Sequence, residues 1–354
     1  MTDRLTQIRQ RIKDTGLGAL LVSQEANRRY LSGFDGSTGM LVISAKSAVL
    51  ATDFRYVEQA KGQAPGFDIL KASGDAEEWL PGLADELNLK SLAFEASNIS
   101  VATFRKLLQA IESGDFEIDL VPAQGLVEEL RAIKEKQEVE LIGEAVALAD
   151  AAFEHIHRKL KDGMTEKQAA WVIESYLRDN GSQPLTFDVI VAAGTNAALP
   201  HARPSERPIR SGEPVLIDFG AKVEGYTSDL SRTITIGKPD DTFNKVYKVV
   251  LEAQRRAMEE ITAGINGRHA DGIARKVIEE AGYGADFGHG LGHGIGLEIH
   301  EKPTLGPSSE DVLANGMVFT LEPGIYISGW GGVRIEDTVA LEYDRIKPLS
   351  KAEK

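Results

Sequence analysis

The sequence predicts an α/β domain over residues 1–125 followed by an α+β domain over residues 126–354. A chain of 354 residues is too long for one ordinary domain and fits two. Helix and strand signals alternate up to about residue 125. From Val127 onward, long helical periodicity appears, followed by strands and loops rich in glycine and proline.

The first domain combines an amphipathic start with short apolar strands. Leu5, Ile8 and Ile12 form a helical stripe. Strands are expected at residues 19–22, 40–43, 48–51, 91–95 and 117–121, with a helix at 101–111. The second and third strands form a hairpin, so we expect one small mixed sheet with helices packed on it.

The second domain begins with one long helix over residues 127–160. On its polar face, Lys134 and Glu138 have the i,i+4 spacing of an ion pair. Thr165 is the expected N-cap of the next helix. Further helices are expected over residues 165–180, 242–261 and 269–281.

Composition argues against several classes of protein. The net charge of −14 disfavours a nucleic-acid or anionic-membrane partner, because binding phosphates requires a basic surface. The chain has no cysteine, which excludes disulfides, thiolate nucleophiles and zinc–thiolate sites and suits the cytoplasm. Residues 1–13 lack the apolar core of a signal peptide, and the longest apolar runs are too short to cross a bilayer. We therefore expect a cytoplasmic protein that binds neither nucleic acid nor membrane.

An aspartate interrupts the apolar strand predicted at residues 215–220. An unpartnered charge at Asp218 would be costly in such a strand. A hairpin centred near Val223 and Glu224 would place Asp229 directly opposite Asp218. Like charges in cross-strand contact are destabilising, and a cation between them would remove the conflict. Taken alone, the pair is equally consistent with one salt-bridged and one solvated aspartate.

A second strand pair repeats this arrangement near the C-terminus. Glu322 ends an apolar run, and Pro323–Gly324 supplies the expected turn. Arg334 and Glu336 occupy alternate positions of the returning strand and therefore share a face. Four carboxylates on two hairpins form an oxygen-rich set that suits hard divalent ions such as manganese or magnesium.

The glycine-rich segment 288–300 holds three of the seven histidines. His289 and His293 are four residues apart, but glycine occupies every second position from 288 to 296. Each glycine would cost a helix about 1 kcal/mol, which excludes a helical H-E-x-x-H zinc motif and favours crowded, extended backbone. With His300 nearby, a functional site is favoured over isolated structural histidines. His201 lies in the loop before the first acidic strand.

Five candidate ligands follow one another along the chain in the order Asp218, Asp229, His293, Glu322 and Glu336. This order resembles the metal-ligand set of the pita-bread metallopeptidases, which include Xaa-Pro aminopeptidase, prolidase and methionine aminopeptidase. The motifs are Ile217–Gly220, Ser228–Asp229, His289–Leu297, Glu322–Tyr326 and Arg334–Asp337, and the match extends from about residue 131 to the end. The first half, including residues 27–33, resembles the creatinase-type domain that methionine aminopeptidases usually lack. The resemblance implies an α/β N-terminal domain plus an α+β pita-bread catalytic domain.

The resemblance also implies a ligand set for two divalent metal ions. Asp218 would bind the first ion through both oxygens. His293 and Glu322 would bind the second ion. Asp229 and Glu336 would bridge the two ions, and four carboxylates balance two divalent cations. The ligand type favours Mn²⁺, with Co²⁺ or Zn²⁺ as alternatives.

The remaining site residues match positions that surround the substrate in the family. His201, His289 and His300 correspond to histidines near the substrate, and Arg334 to an arginine that orients a ligating carboxylate. Two ions lower the pKa of a bridging water, so that hydroxide can attack the carbonyl before proline. His289 or His300 would stabilise the oxyanion, and Glu322 would carry the proton to the leaving nitrogen.

The expected activity is removal of the residue before proline, either from dipeptides or from longer peptides. Some prolidases carry an arginine four residues after the histidine that matches His300, where it holds the dipeptide's carboxylate. Thr304 occupies that position here, which favours longer peptides. Arg203 or Lys302 could supply the positive charge instead.

The sequence also bears on three other interpretations. Creatinase shares the fold but works without metal and lacks this carboxylate set. A methionine aminopeptidase is disfavoured by the N-terminal domain. A non-catalytic metal-binding interaction protein on the same fold is the alternative, although such relatives typically lose ligands and all five are present here. The family often forms homodimers, so a homodimer is expected.

Overall fold

The computed structural model describes residues 2–184 and 188–354 and divides into two compact units. The N-terminal unit comprises Met1–Arg131 and the C-terminal unit Ala132–Lys354. The corresponding expectation from the sequence is a boundary after residue 125.

The N-terminal unit is built on a mixed sheet, as predicted. Its elements are α1 (Thr2–Asp14), β1 (Ala19–Val22), α2 (Glu25–Ser32), β2 (Met40–Ser44), β3 (Ala48–Thr52), α3 (Val57–Gln63), β4 (Asp68–Lys71), α4 (Ala76–Glu86), β5 (Ser91–Glu95), α5 (Val101–Ser113), β6 (Asp119–Ala123) and α6 (Glu128–Ala132). The described strands form one sheet in the order β4-β3-β2-β1-β5-β6. β1 runs antiparallel to β2 and parallel to β5.

Periodicity alone does not predict α2, α3, β4 or α4. Except for α4, these elements are at most eight residues long, too short for a clear pattern. The signal for α4 is its start, where Asp75 and Glu78 form a capping box that satisfies two backbone N–H groups.

In the described part of the C-terminal unit, four long helices combine with strands that carry the candidate site. Its elements are α7 (Lys136–Lys159), α8 (Glu166–Asp179), β7 (Ile190–Ala193), β8 (Pro214–Phe219), β9 (Lys222–Val223), β10 (Tyr226–Thr227), β11 (Leu230–Thr235), α9 (Asp241–Glu260), α10 (Gly267–Glu280), β12 (Gly292–Gly294), β13 (Glu301–Leu305), β14 (Val318–Leu321), β15 (Gly324–Ile327), β16 (Gly331–Arg334), β17 (Asp337–Glu342) and β18 (Arg345–Pro348). Short 3₁₀ turns lie at Gly194–Ala198 and Gly284–Asp286.

The single helix predicted over residues 127–160 is wrong, because the chain breaks between α6 and α7. The Lys134 N–H donates to Gly316 O at 2.8 Å, which draws the chain out of the helix. Glu135 then caps α7 through a capping box. Lys134 and Glu138 do not lie on a polar face either. Both are buried, and Lys134 pairs with Glu301 at 2.9 Å.

Two helix pairs cover the strands of the C-terminal unit. α7 and α8 pack on the sheet β11-β8-β7, and their contact includes Phe153, Ile173 and Ile217. α9 and α10 share a core with β14–β17. Thr165 caps α8 as predicted, accepting from the N–H of Gln168. Each helix pair therefore covers the apolar face of its own set of strands.

Within the described residues, no helix is long and apolar enough to cross a bilayer.

Candidate metal centre and active site

The first acidic hairpin has a different register from the one predicted. Asp218 pairs with Ser231, and the same register continues through β9 and β10 to a two-residue turn at Glu224 and Gly225. Both turn residues have positive φ, 45° and 81°. Asp229 therefore lies diagonally across from Asp218 instead of opposite it. The two positions still share a face of the hairpin, because residues two apart on a strand point the same way.

The second acidic hairpin places its two glutamates opposite each other. The strand residues on both sides of Glu322 and Glu336 pair in one register, β14 with β17 and β15 with β16. The predicted turn at Pro323–Gly324 is wrong. Pro323 has no N–H for the ladder and only interrupts the strand, while the chain reverses around Gly329, whose φ is 80°.

Hydrogen bonds from backbone N–H groups join the two hairpins side by side. Glu336 N donates to Ser231 O at 3.0 Å, and Asp229 N donates to Thr338 Oγ1 at 3.4 Å. These contacts bring carboxylates from both hairpins to one place. Asp229, His293 and Glu336 each offer a ligand atom, and these atoms all lie within 4.8 Å of one another.

The glycine-rich segment supplies His293 from a strand, β12, that is crowded by its neighbours. A Cβ at Gly292 would collide with the backbone of Thr320, and one at Gly294 with the backbone of Lys302. The prediction of crowded, extended backbone is confirmed over β12. His293 Nε2 lies 3.4 Å from Glu322 Oε1 and 3.6 Å from Asp229 Oδ2.

Two carboxylate oxygens of this cluster lack a hydrogen-bond donor. Asp229 is 7% exposed and Glu336 1%. Asp229 Oδ1 and Glu336 Oε1 are buried without a partner within the described residues. Buried polar atoms are almost always paired, so these oxygens fit a cation as their missing partner.

Burial and like charges make the cluster resist ionisation. Burial, followed by the Asp218 and Glu322 charges, raises the pKa of Asp229 well above its ordinary value. Burial, followed by the Asp229 charge, does the same to the pKa of Glu336. Burial also raises the pKa of Glu322 to about 7. Divalent cations would relieve this repulsion, and the donor set of carboxylates and one imidazole suits them.

Arg334 holds two of the carboxylates in position through hydrogen bonds. It is 3% exposed, and its guanidinium donates to the Asp218 carboxylate, to Ser231 Oγ at 2.9 Å and to Tyr326 OH at 2.7 Å. Ser231 Oγ donates in turn to Glu336 Oε2 at 2.7 Å. One buried cation therefore positions a carboxylate on each hairpin.

A directed chain of hydrogen bonds fixes His289. Its Nδ1 lies 2.7 Å from Gly290 O, so Nδ1–H must be the donor. Its Nε2 then accepts from Tyr326 OH at 2.9 Å. Burial lowers the pKa of His289 to about 4, which keeps this ring neutral. Sequence reasoning gave Tyr326 no role, because its position between His289 and Arg334 depends on the pairing of β15 with β16.

One cavity of about 480 Å³ collects every site residue predicted from the sequence. Its wall includes Asp218, Asp229, His293, Glu322 and Glu336 together with His201, His289, His300 and Arg334. His300 stacks edge-on against His293, with ring centroids 4.1 Å apart. Carboxylates and imidazoles that converge on a pocket of this size can hold metal ions and a small substrate.

Comparison with known proteins gives a match for both units. The model of metallopeptidase family M24 matches residues 140–342, and that of the creatinase/prolidase N-terminal domain matches residues 4–133. The Xaa-Pro dipeptidase of Pyrococcus horikoshii is 34% identical over 100% of this chain and 98% of its own.

Two solved structures show how far the similarity extends. An Xaa-Pro dipeptidase from Bacillus anthracis superposes with a TM-score of 0.95 at 41% identity, covering 100% of this chain and 98% of its own. An X-Pro aminopeptidase from Thermotoga maritima superposes with a TM-score of 0.90 at 36% identity, covering 99% of this chain and 98% of its own.

Proposed function

The chain belongs to metallopeptidase family M24 and carries a creatinase/prolidase N-terminal domain, and from this premise we propose that it hydrolyses the Xaa-Pro bond of dipeptides. The observation that carries the proposal is the pair of unpartnered, buried carboxylate oxygens on Asp229 and Glu336, two residues that line the cavity. A full-length relative and a superposing structure are both Xaa-Pro dipeptidases.

The proposed metal ligands are Asp218, Asp229, His293, Glu322 and Glu336. When bound, two divalent ions supply Lewis acidity toward the substrate carbonyl and lower the pKa of a water molecule. Mn²⁺ is the proposed native metal because four of the five ligands are carboxylates, with Co²⁺ or Zn²⁺ as substitutes. Arg334 would keep Asp218 oriented toward the first ion.

The chain's own side chains divide the remaining work. His300 and His201 lie on the cavity wall and would meet the developing oxyanion or the substrate backbone. His289 is less suited to donate, because its Nε2 already accepts from Tyr326. Glu322 would carry a proton to the leaving nitrogen, a role it would have in addition to binding metal.

The sequence-based preference for longer peptides loses its main support in the structure. Thr304 donates from its N–H and its hydroxyl to Asp311 Oδ2, at 2.9 and 3.0 Å. It is not among the residues that line the cavity. The identity of residue 304 therefore says little about substrate length.

We also propose a cytoplasmic homodimer. The absence of cysteine supports the cytoplasm, and the frequent dimerisation of family members supports the homodimer.

Hydrolysis of Ala-Pro and Ala-Pro-Ala by metal-stripped protein, before and after addition of Mn²⁺, tests the proposal. We expect Mn²⁺-dependent release of alanine from both, faster from the dipeptide. A strong preference for the tripeptide would make the protein an aminopeptidase. Two bound metal ions with no turnover of either peptide would instead favour the non-catalytic interaction protein.

The Glu322→Gln variant tests the proton-transfer role separately. Turnover should be lost even at Mn²⁺ concentrations that restore full metal content, measured by metal analysis of the same sample. Full turnover with both ions bound would overturn the role of Glu322.

A further inference from the structure

A dipeptide substrate carries its carboxylate one residue beyond the bond that is cut. Among the described residues that line the cavity, the permanently charged cations are Arg203 and Arg334. Arg334 is already committed to the metal site, because it donates to Pro200 O at 3.3 Å in addition to its three side-chain partners. Four of its five N–H donors are used in this way, and its charge is paired with the Asp218 carboxylate.

Lys302, the other cation considered from the sequence, is also committed elsewhere. Its Nζ lies 3.2 Å from Asp311 Oδ1. Asp311 also accepts from Thr304, so the three residues form one group on β13 and the loop after it. Neither Lys302 nor Thr304 lines the cavity.

Arg203 differs from both, because it is an exposed residue that lines the cavity. In the described part of the chain it has neither a hydrogen bond nor an ion pair. The loop beneath it is nevertheless held on both sides. Pro200 O accepts from Arg334, and the Ser205 N–H and hydroxyl donate to Glu166 Oε2 at 3.0 and 2.5 Å. Between these anchors, Ala202 is buried at 7% exposure.

We propose that Arg203 determines specificity by binding the C-terminal carboxylate of the dipeptide substrate, in place of a cation at position 304. The assignment rests on the proposed function. A guanidinium binds a carboxylate through two parallel N–H···O bonds, and a rigid loop lowers the entropy cost of that contact. Arg203 would also offset the repulsion between the substrate carboxylate and Asp188 on the same wall.

The position of Arg203 also defines the competing possibility. Arg203 lines an adjoining pocket of about 310 Å³, whose wall includes Trp171 and Pro204. A longer peptide could continue past Arg203 into this pocket. Arg203 would then contact a backbone segment or a more distant carboxylate instead of the carboxylate of proline.

Arg203→Ala and Arg203→Lys, compared on Ala-Pro, its C-terminal amide Ala-Pro-NH₂ and Ala-Pro-Ala, test the assignment with Mn²⁺-loaded protein. For Arg203→Ala we expect kcat/KM on Ala-Pro to fall about 10- to 100-fold, mostly through KM, as for loss of a charged hydrogen-bond partner. On Ala-Pro-NH₂ the fall should stay below about threefold, because the amide lacks the charge. Arg203→Lys should recover part of the loss, since it keeps the charge without the planar fork.

Lys302→Ala is the matched control, because it removes a nearby cation that does not face the cavity. It should leave the ratio of kcat/KM on Ala-Pro to that on Ala-Pro-NH₂ unchanged. An unchanged ratio in Arg203→Ala, or a larger loss on Ala-Pro-Ala than on Ala-Pro, overturns the assignment. Wild-type protein that cleaves none of the three substrates overturns the proposed function itself, and the assignment with it.

Discussion

Glu166 and the pair Asp229 and Glu336 are buried carboxylates of the C-terminal unit that differ in the number of hydrogen-bond donors around their oxygens. Glu166, at the start of α8, is 0% exposed and accepts hydrogen bonds from protein donors on both oxygens. The donors are Ala193 N, Asn196 Nδ2, Ser205 N and Ser205 Oγ, at 2.8, 3.0, 3.0 and 2.5 Å. Asp229 and Glu336 are buried almost as deeply, yet each has an oxygen with no donor in the described structure.

The contrast indicates that Glu166 stabilises the fold, whereas Asp229 and Glu336 require a bound ligand. A buried charge is tolerated when donors surround it, as they do at Glu166. Like charges gathered without donors repel one another until a cation or a proton neutralises them. The two groups are also connected, because Glu166 anchors the loop that carries His201 and Arg203 to the cavity.

The largest expected effect comes from Asp229→Asn. We expect kcat/KM on Ala-Pro to fall by about 10³-fold or more, on the scale of the Lewis-acid stabilisation that bound metal supplies. Metal analysis should show reduced Mn²⁺ content. Urea unfolding of the metal-free protein should show no loss of stability, because the substitution removes one charge from a repelling group. A variant that unfolds more easily than metal-free wild type would break the comparison with Glu166.

Glu166→Gln should show the opposite pattern. The free energy of unfolding should fall by about 2–4 kcal/mol, because an amide NH₂ would replace an acceptor that faces several donors. Mn²⁺ stoichiometry should be retained in the folded fraction. The control is Glu154→Gln on the exposed face of α7, where loss of the pair with Arg158 should change stability by less than about 0.5 kcal/mol. Equal effects of the two substitutions would contradict a structural role for Glu166.

The pH dependence of the metal-free protein sharpens the comparison further. The folded pKa of Glu322 is about 7, above the value of about 4.3 for an unfolded glutamate. The stability it contributes is therefore complete below about pH 4.3 and is lost as the pH rises through about 7. Between pH 5.5 and 8 we expect the free energy of unfolding to fall by about 1–3 kcal/mol.

Two further measurements isolate the cause of that slope. Glu322→Gln should make the slope shallower, because the variant has no proton to lose at this position, while the raised pKa values of Asp229 and Glu336 leave a remaining slope of the same sign. Saturating Mn²⁺ should reverse it, since deprotonated carboxylates bind the metal more tightly as the pH rises. A metal-free stability that rises from pH 5.5 to 8 in wild type would contradict the raised pKa.

The sequence predicts the two acidic hairpins and the glycine-crowded strand but not their registers. Asp218 and Glu322 stand out because each breaks or ends an apolar run, and His293 because glycines flank it. Register depends on where the chain reverses, and a one-residue error at Glu224–Gly225 changes which residue faces Asp218.

Tertiary partners were beyond prediction for a related reason. The break before α7 is caused by a bond to Gly316, far along the chain, and no local pattern signals it. Glu166 looks like an ordinary acidic residue in the first turn of a helix, and its donors come from residues 193–205. Sequence patterns reveal a charged residue when it interrupts an apolar run, as Asp218 does. A charged residue such as Glu166, whose hydrogen-bond donors come from distant parts of the chain, has no such local signal.

Substitution of Tyr326 has the smallest expected effect. Its hydrogen bonds are satisfied within the protein, as those of Glu166 are, but its partners belong to the site, as Asp229 and Glu336 do. Its hydroxyl accepts from Arg334 and donates to His289, and burial raises its pKa to about 12, so it stays protonated. Tyr326→Phe should lower kcat/KM about tenfold, as expected for loss of one positioning hydrogen bond, without changing Mn²⁺ content. Tyr343→Phe, at a residue 90% exposed, is the control. Loss of metal in Tyr326→Phe would show that this chain supports the carboxylates as well as His289, whereas full activity would show that Arg334 and His289 keep their positions without it.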